Sequence, residues 1–206
     1  LESNPSRQEK AKTHQWIHLA DDKDHKFKLL ANILKQEDVK RAVVFANKRE
    51  TVQFLSGKLY AEEIPCAWLE GKMLQDKRNN AVNRLKTGKV NVLVATDVAA
   101  RGLDIDDITH VINFDMPRMV DIYIHRIGRT GRAGNKGTAI SLVEAHDMAV
   151  IGKIERYNDE KLPRRIIEEL RPKHKESRVS IKKPKVKRTT AQKKAKAKKI
   201  AKRKKK

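Results

Sequence analysis

The sequence predicts an α/β fold: a parallel sheet with helices on both faces, followed by a disordered basic tail. Three observations carry that expectation. Short β-branched or aliphatic runs alternate with longer amphipathic ones through residue 170, and strands separated by helices pair in parallel through right-handed crossovers. Ala42-Val43-Val44-Phe45 is apolar throughout, as a strand buried on both faces requires. After Leu170 apolar periodicity stops, and Ile181, Val186 and Ile200 stand isolated among lysines.

Residues 1–12 are polar and unpatterned and read as a linker. Residues 14–19 form a first strand. Asp21 and Asp22 then offer an acidic start to a helix in which Leu30, Ile33 and Leu34 share one face. The strand at 42–45 follows, then a helix marked by Val52, Leu55 and Leu59, a strand at 66–69, and a helix carrying Val82 and Leu85. A strand at 90–95 ends at Thr96-Asp97. Val111-Ile112-Asn113 forms another, followed by a helix over 122–127, a strand over 138–143, and helices over 146–157 and 164–170. The expected organisation is therefore a linker over 1–12, one domain over 13–170 and a lysine-rich tail over 171–206.

The formal charge of +22 is unevenly distributed. Residues 171–206 hold 19 Lys and Arg against one acid, Glu176, a net of +18 that leaves only +4 for everything before them. Such a tail cannot build a core, and its self-repulsion favours disorder. Its expected partner is the phosphate backbone of RNA. The single cysteine, Cys66, excludes an internal disulfide and a cysteine metal knuckle, and reads as core packing in a reducing compartment. No apolar run approaches the ~20 residues of a membrane span, and no secretory leader pattern opens the chain. A cytoplasmic protein is expected. The opening at Leu1, without methionine, suits a fragment of a longer protein.

In parallel α/β sheets ligands gather at the carboxyl ends of the strands. Asn47, Glu70-Gly71, Thr96-Asp97 and Asp115 all fall just after an expected strand. Two segments there carry chemistry. His125-Arg126-Ile127-Gly128-Arg129-Thr130-Gly131-Arg132-Ala133-Gly134 places three arginines at three-residue intervals, running from a helix into a glycine-rich turn. If the helix continues, all three project to one side. Guanidiniums suit phosphate because they match its oxygens with fixed donors and stay charged. Composition alone also allows a solvated arginine face. Ala95-Thr96-Asp97-Val98-Ala99-Ala100-Arg101-Gly102-Leu103-Asp104 brings a hydroxyl and a carboxylate off a strand, then small residues that permit close backbone approach. Alone, it reads as a polar-capped strand-to-helix connection. His125 is a structural hydrogen-bonding residue rather than a base or metal ligand, and no metal site is expected in this chain. Trp16 and Trp68 read as packing residues.

Together the two segments closely resemble motifs V and VI of the DEAD-box RNA helicases. Between them, Val111-Ile112-Asn113-Phe114-Asp115-Met116-Pro117 resembles that family's linker. Val43-Val44-Phe45-Ala46-Asn47 is similar to motif IV, and Gly71-Lys72-Met73-Leu74-Gln75-Asp76-Lys77-Arg78 to its Gln-x-x-Arg element. The resemblance covers residues 13–143. It implies a RecA-like fold, and specifically the C-terminal lobe of two. No Gly-x-x-x-x-Gly-Lys-Ser/Thr loop and no Asp-Glu-Ala-Asp string occur, as expected if both lie in an N-terminal RecA-like lobe absent from this sequence.

By the same resemblance, Arg129 and Arg132 match the arginine fingers of ATP hydrolysis. Asp104 and Gly102 match nucleotide contacts. Asp97, Arg101, His125 and Arg126 match residues that join the lobes, and Gln75, Arg78 and Thr96 match RNA-backbone contacts. The implied activity is ATP-dependent local unwinding of RNA, with ATP and Mg²⁺ as cofactors and the Mg²⁺ ligands in the absent lobe. The isolated chain is not expected to hydrolyse ATP. Two departures, Lys48 for the usual Thr and Glu70 for the usual His, point with residues 140–147 and the tail to a branch of bacterial ribosome-assembly helicases. That branch implies ribosomal RNA, and ribosomal proteins, as partners. Two rival readings are a non-enzymatic basic RNA-binding module and the matching lobe of a DNA-directed helicase. The arginine triplet counts against the first, the Gln-x-x-Arg element against the second.

Overall fold

A computed structural model describes residues 13–102, 105, 107–131 and 136–173. Six strands form one sheet: β1 (Thr13–Leu19), β2 (Ala42–Ala46), β3 (Cys66–Leu69), β4 (Val92–Thr96), β5 (His110–Asn113) and β6 (Gly137–Val143). Their order is β1-β6-β5-β2-β4-β3, and every pairing is parallel. The central strand β2 is buried at all five positions, which is why its sequence is apolar without alternation. The helices are α1 (Lys23–Leu34), α2 (Arg49–Ala61), α3 (Gln75–Lys86), the short α4 (Asp97–Ala100), α5 (Val120–Ile127) and α6 (Met148–Asn158).

Both faces of the sheet are covered. Phe27, Leu30 and Ile33 of α1 and Val52, Leu55 and Leu59 of α2 pack with Val44, Val94, Ile112 and Leu142 on one side. On the other, Ala81 and Leu85 of α3 pack with Val43, Leu93 and Val111. Beside them, Tyr123, Ile124 and Ile127 of α5 join Ile151 and Ile154 of α6 against Ile17, Ala139 and Val143. The acidic start expected for α1 is a cap: Asp22 Oδ1 accepts from the His25 backbone N–H at 2.8 Å. Charged side chains also lie inside this frame. Lys26, 2 % exposed, meets Glu144 Oε1 at 3.0 Å and Asp147 Oδ2 at 3.4 Å, tying α1 to the turn between β6 and α6.

Three expectations are corrected. Residues 164–170 are not a helix. Pro163 O accepts from Ile17 N and Arg165 N donates to Ile17 O, both at 2.9 Å, so this segment pairs with the outer edge of β1. An unpaired edge needs backbone partners, and satisfying it outweighs a local helix. Arg165 lies 3.8 Å over the Trp16 ring, and only Glu168–Leu170 makes a 3₁₀ turn. Second, α5 stops at Ile127 rather than carrying all three arginines. Third, β4 begins at Val92; Val90 instead donates to Arg84 O at 3.2 Å and closes the turn after α3. The linker expected over 1–12 and the tail beyond Lys173 lie outside the described residues.

Candidate nucleotide and RNA site

Asn47, Glu70, Thr96 and Asp115 leave the carboxyl ends of β2, β3, β4 and β5, so the parallel sheet delivers them to one rim. Arg126 organises that rim. It sits on the buried face of α5 with Tyr123 and Ile127 and is 1 % exposed. Its Nε donates to Asp97 Oδ1 at 2.6 Å and its Nη2 to Asp97 Oδ2 at 2.8 Å, a two-pronged pair. Nη2 also donates to Asn47 Oδ1 at 2.9 Å. Nη1 donates to Asn113 Oδ1 at 3.1 Å and to the Asp115 carbonyl at 2.6 Å. The guanidinium carbon lies 5.1 Å from the Phe45 ring centre.

A guanidinium has five N–H donors, and all five are engaged here. Within this lobe Arg126 is a strut that fixes β2, β4, β5 and α5 to one another. Asn47 extends the strut, its backbone N–H donating to Asp115 Oδ2 at 2.9 Å and its Nδ2 to the Met116 carbonyl at 2.8 Å. Asn113 Nδ2 donates in turn to Ser141 Oγ at 3.1 Å, carrying the network under β6.

Around this strut lies one pocket lined by Phe45, Asp97, Ala100, Arg101, Ile122, His125, Arg126 and Arg129. Five of the residues singled out from the sequence thus meet there: Asp97, Arg101, His125, Arg126 and Arg129. Arg101 and His125 are exposed and Arg129 half-buried. Arg129 reaches this rim because α5 ends and the chain tightens, with Arg129 N donating to Arg126 O at 3.0 Å and Thr130 N to Ile127 O at 3.1 Å. Gly102 follows with φ +66°; no atom crowds its Cα, so the backbone conformation alone calls for glycine there. Asp104 and Arg132 lie outside the described residues.

The three candidate RNA contacts line the neighbouring part of the rim. Gln75 opens α3 and donates through Nε2 to Asn79 Oδ1 at 2.8 Å. Arg78 Nη2 donates to the Arg101 carbonyl at 2.7 Å, linking this cluster to the arginine pocket. Thr96 Oγ1 caps α4, accepting from Ala99 N at 3.4 Å. Glu70 is held by Arg49 Nη2 at 3.0 Å and Gln53 Nε2 at 3.1 Å, so the departure at this position fastens α2 to the end of β3. Lys48 is exposed at the start of α2.

Sequence reasoning missed the strut role of Arg126, the part played by Asn113, and the contact between Thr130 and Gly137. A signal existed for Arg126, which falls three residues after Tyr123 on the apolar face of α5; its charge hid it. Thr130 Oγ1 donates to the Ile108 carbonyl and packs on Gly137, where a Cβ would collide with Thr130 and the Gly131 backbone. No sequence pattern announced that contact.

The helicase conserved C-terminal domain matches residues 25–134. The chain is 57 % identical to the ATP-dependent RNA helicase SrmB of Escherichia coli (strain K12), over 84 % of its own length and 39 % of that protein's. It thus spans about two fifths of that relative. It superposes on E. coli DEAD-box protein SrmB, solved bound to regulator of ribonuclease activity A, with a TM-score of 0.78 and 58 % identity. That match covers 80 % of this chain and 96 % of the other. The C-terminal domain of the DEAD-box protein Dbp5 matches with a TM-score of 0.69 and 30 % identity, over 74 % of this chain and 89 % of that one. On these matches, this chain belongs to the helicase conserved C-terminal domain family and is the C-terminal lobe of a DEAD-box protein.

Proposed function

We propose that this chain is the C-terminal half of an ATP-dependent RNA helicase, in which closure of two lobes on ATP and RNA drives local strand separation. The observation that carries this reading is the strut: a fully bonded Arg126 sets Arg129, Arg101 and His125 around one pocket at the strand ends. The donor set fits a phosphate chain. Arg129 and Arg132 are assigned to the charge that develops on the transferred phosphoryl group, a contribution of about 10³–10⁵ in rate in related enzymes. Gly102 and Asp104 are assigned to the nucleotide, Gln75, Arg78 and Thr96 to RNA, and Asp97, Arg101, His125 and Arg126 to the seam between lobes, Arg126 by holding Asp97. ATP supplies the phosphoryl group that water accepts.

Among the described residues no group of three His, Cys, Asp or Glu side chains could hold a metal ion. On the resemblance, the ligands of Mg²⁺ are assigned to the N-terminal lobe. The RNA is assigned to ribosomal RNA, with large-subunit assembly in the cytoplasm as the process, on the resemblance to the ribosome-assembly branch. The complex of the E. coli relative with regulator of ribonuclease activity A favours a protein partner of that kind for this lobe as well. No helix among the described residues is long and apolar enough to cross a membrane.

Joining this chain to an N-terminal RecA-like lobe tests the reading. RNA-stimulated ATP hydrolysis is expected in the joined protein and not in the chain alone. Hydrolysis by the isolated chain, or none after joining, contradicts it. The tail at 171–206 is assigned a separate role, unspecific attachment to structured RNA. Truncation after Leu170 is expected to remove most of the chain's RNA affinity, and unchanged affinity refutes that role.

A further inference from the structure

The positive charge of the folded body is concentrated on one helix and the residues flanking it. Between residues 72 and 89, Lys72, Lys77, Arg78, Arg84, Lys86 and Lys89 face a single acid, Asp76, for a net of +5. Residues 1–170 carry +4 in all, so the body outside this segment is near neutrality at −1. Elsewhere some exposed cations find carboxylates, as Lys35 does with Glu62, Arg49 with Glu70 and Arg171 with Glu168. Lys72, Lys77, Arg84, Lys86 and Lys89 make no ion pair among the described residues, and all five are exposed.

Helix geometry gives these charges a shape. Ala81 and Leu85 face the core, with Arg78 and Val82 half-buried at their margins. At 100° per residue, Lys77 and Arg84 fall on one margin of the outward arc and Gln75 and Lys86 on the other. Asn79, Asn80 and Asn83 lie between them together with the single acid Asp76, all exposed. The twelve residues of α3 span about 18 Å. The helix starts at the carboxyl rim, with Gln75 beside the site described above. It ends at the opposite rim, with Lys86 O accepting from Arg41 Nη2 at 3.4 Å and Arg84 near Cys66 at the start of β3.

We infer that the outward face of α3 is a second RNA surface, a track for the phosphate backbone that continues from Gln75 and Arg78 down the flank of the lobe. Cations on both margins supply the charge, and the three asparagine amides supply donors and acceptors for phosphate and sugar oxygens. An acidic protein would satisfy the cations but not call for the amides between them. This inference rests on the assignment of Gln75 and Arg78 to RNA, and it adds an extent and a direction to that contact.

The test uses the full chain, and beside it the chain ending at Lys173, which keeps every strand and helix of the fold. Both are measured with a duplex bearing a single-stranded overhang and without nucleotide; the outcomes are read on the shorter chain, where the tail does not contribute. K77Q/R84Q/K86Q/K89Q is compared with K28Q/K40Q/K153Q/K161Q, which removes the same charge from exposed lysines elsewhere. Each phosphate contact contributes about 0.7–0.9 to the slope of log affinity against log salt. The α3 variant is expected to lower that slope by about 2–3 and the affinity at 0.1 M salt by roughly ten- to a hundredfold. The control is expected to change far less, and both variants to melt like the parent. Equal losses in the two variants overturn the inference, as does an α3 variant that binds like the parent. Neither failure touches the ATPase reading, which depends on Arg129 and is measured with the second lobe present.

Discussion

Arg126 and Arg129, identical side chains three residues apart, sit in opposite environments, one buried and one half-buried at the pocket. Burial sets the difference. A guanidinium out of water is tolerated only when its donors are matched, and the loss of one partner leaves an uncompensated charge. Arg126→Ala and Asp97→Ala are each expected to destabilise the lobe by about 3–5 kcal/mol, measured by urea denaturation. Arg126→Lys is expected to recover little, since an ammonium cannot reproduce five fixed donors. A loss below about 1 kcal/mol for Asp97→Ala would remove the strut from the account, since that is the worth of an exposed pair. Gly137→Ala brings a Cβ against Thr130 and the Gly131 backbone. It is expected to cost about 1–3 kcal/mol, the usual penalty for overpacking, and equal midpoints would show that the turn yields freely.

At the level of elements, periodicity and local chemistry together decided what could be read in advance. Strands β2, β4 and β6 and helices α1 and α2 were legible because each buries one continuous apolar stretch or one stripe. The segment 164–170 was not legible, because its conformation is set by the unpaired edge of β1, a tertiary fact. The end of α5 was half legible: Gly128 and Gly131 signalled a turn, yet nothing local said that the turn would divide the arginines. The pocket could be assembled from sequence only because strand ends in a parallel sheet share a rim. Asn47, Thr96, Asp97 and Asp115 were found that way, whereas the bonds between them depend on the buried position of Arg126.

Over the whole molecule, two buried histidines make stability depend on pH. Burial pushes the imidazoles of His18 and His110 below their usual range, with Asp38 partly opposing the effect at His110. The Trp16 indole donates to His18 Nε2 at 3.1 Å, a bond that needs the neutral ring. A depressed folded-state value means that the unfolded chain binds the proton more readily. Their contribution is thus complete above the ordinary histidine value of about 6.5 and drains away as pH falls below it toward the depressed values. The melting temperature is expected to fall between pH 7.5 and 5.5, and H18Q/H110Q is expected to flatten that dependence. An equally steep fall in the double variant assigns it to other groups. Charge at this scale falls into three parts: a near-neutral frame, a cationic helix beside the proposed RNA contacts, and a polycationic tail of net +18.

The central claim is that a rigid buried arginine presents a neighbouring one to phosphate held by another lobe. The most direct measurement is RNA-stimulated ATP hydrolysis by the joined two-lobe protein carrying Arg129→Ala, with its denaturation midpoint recorded alongside. The account predicts a rate lower by about 10³–10⁵ with the midpoint unchanged. Hydrolysis near the parent rate would contradict it.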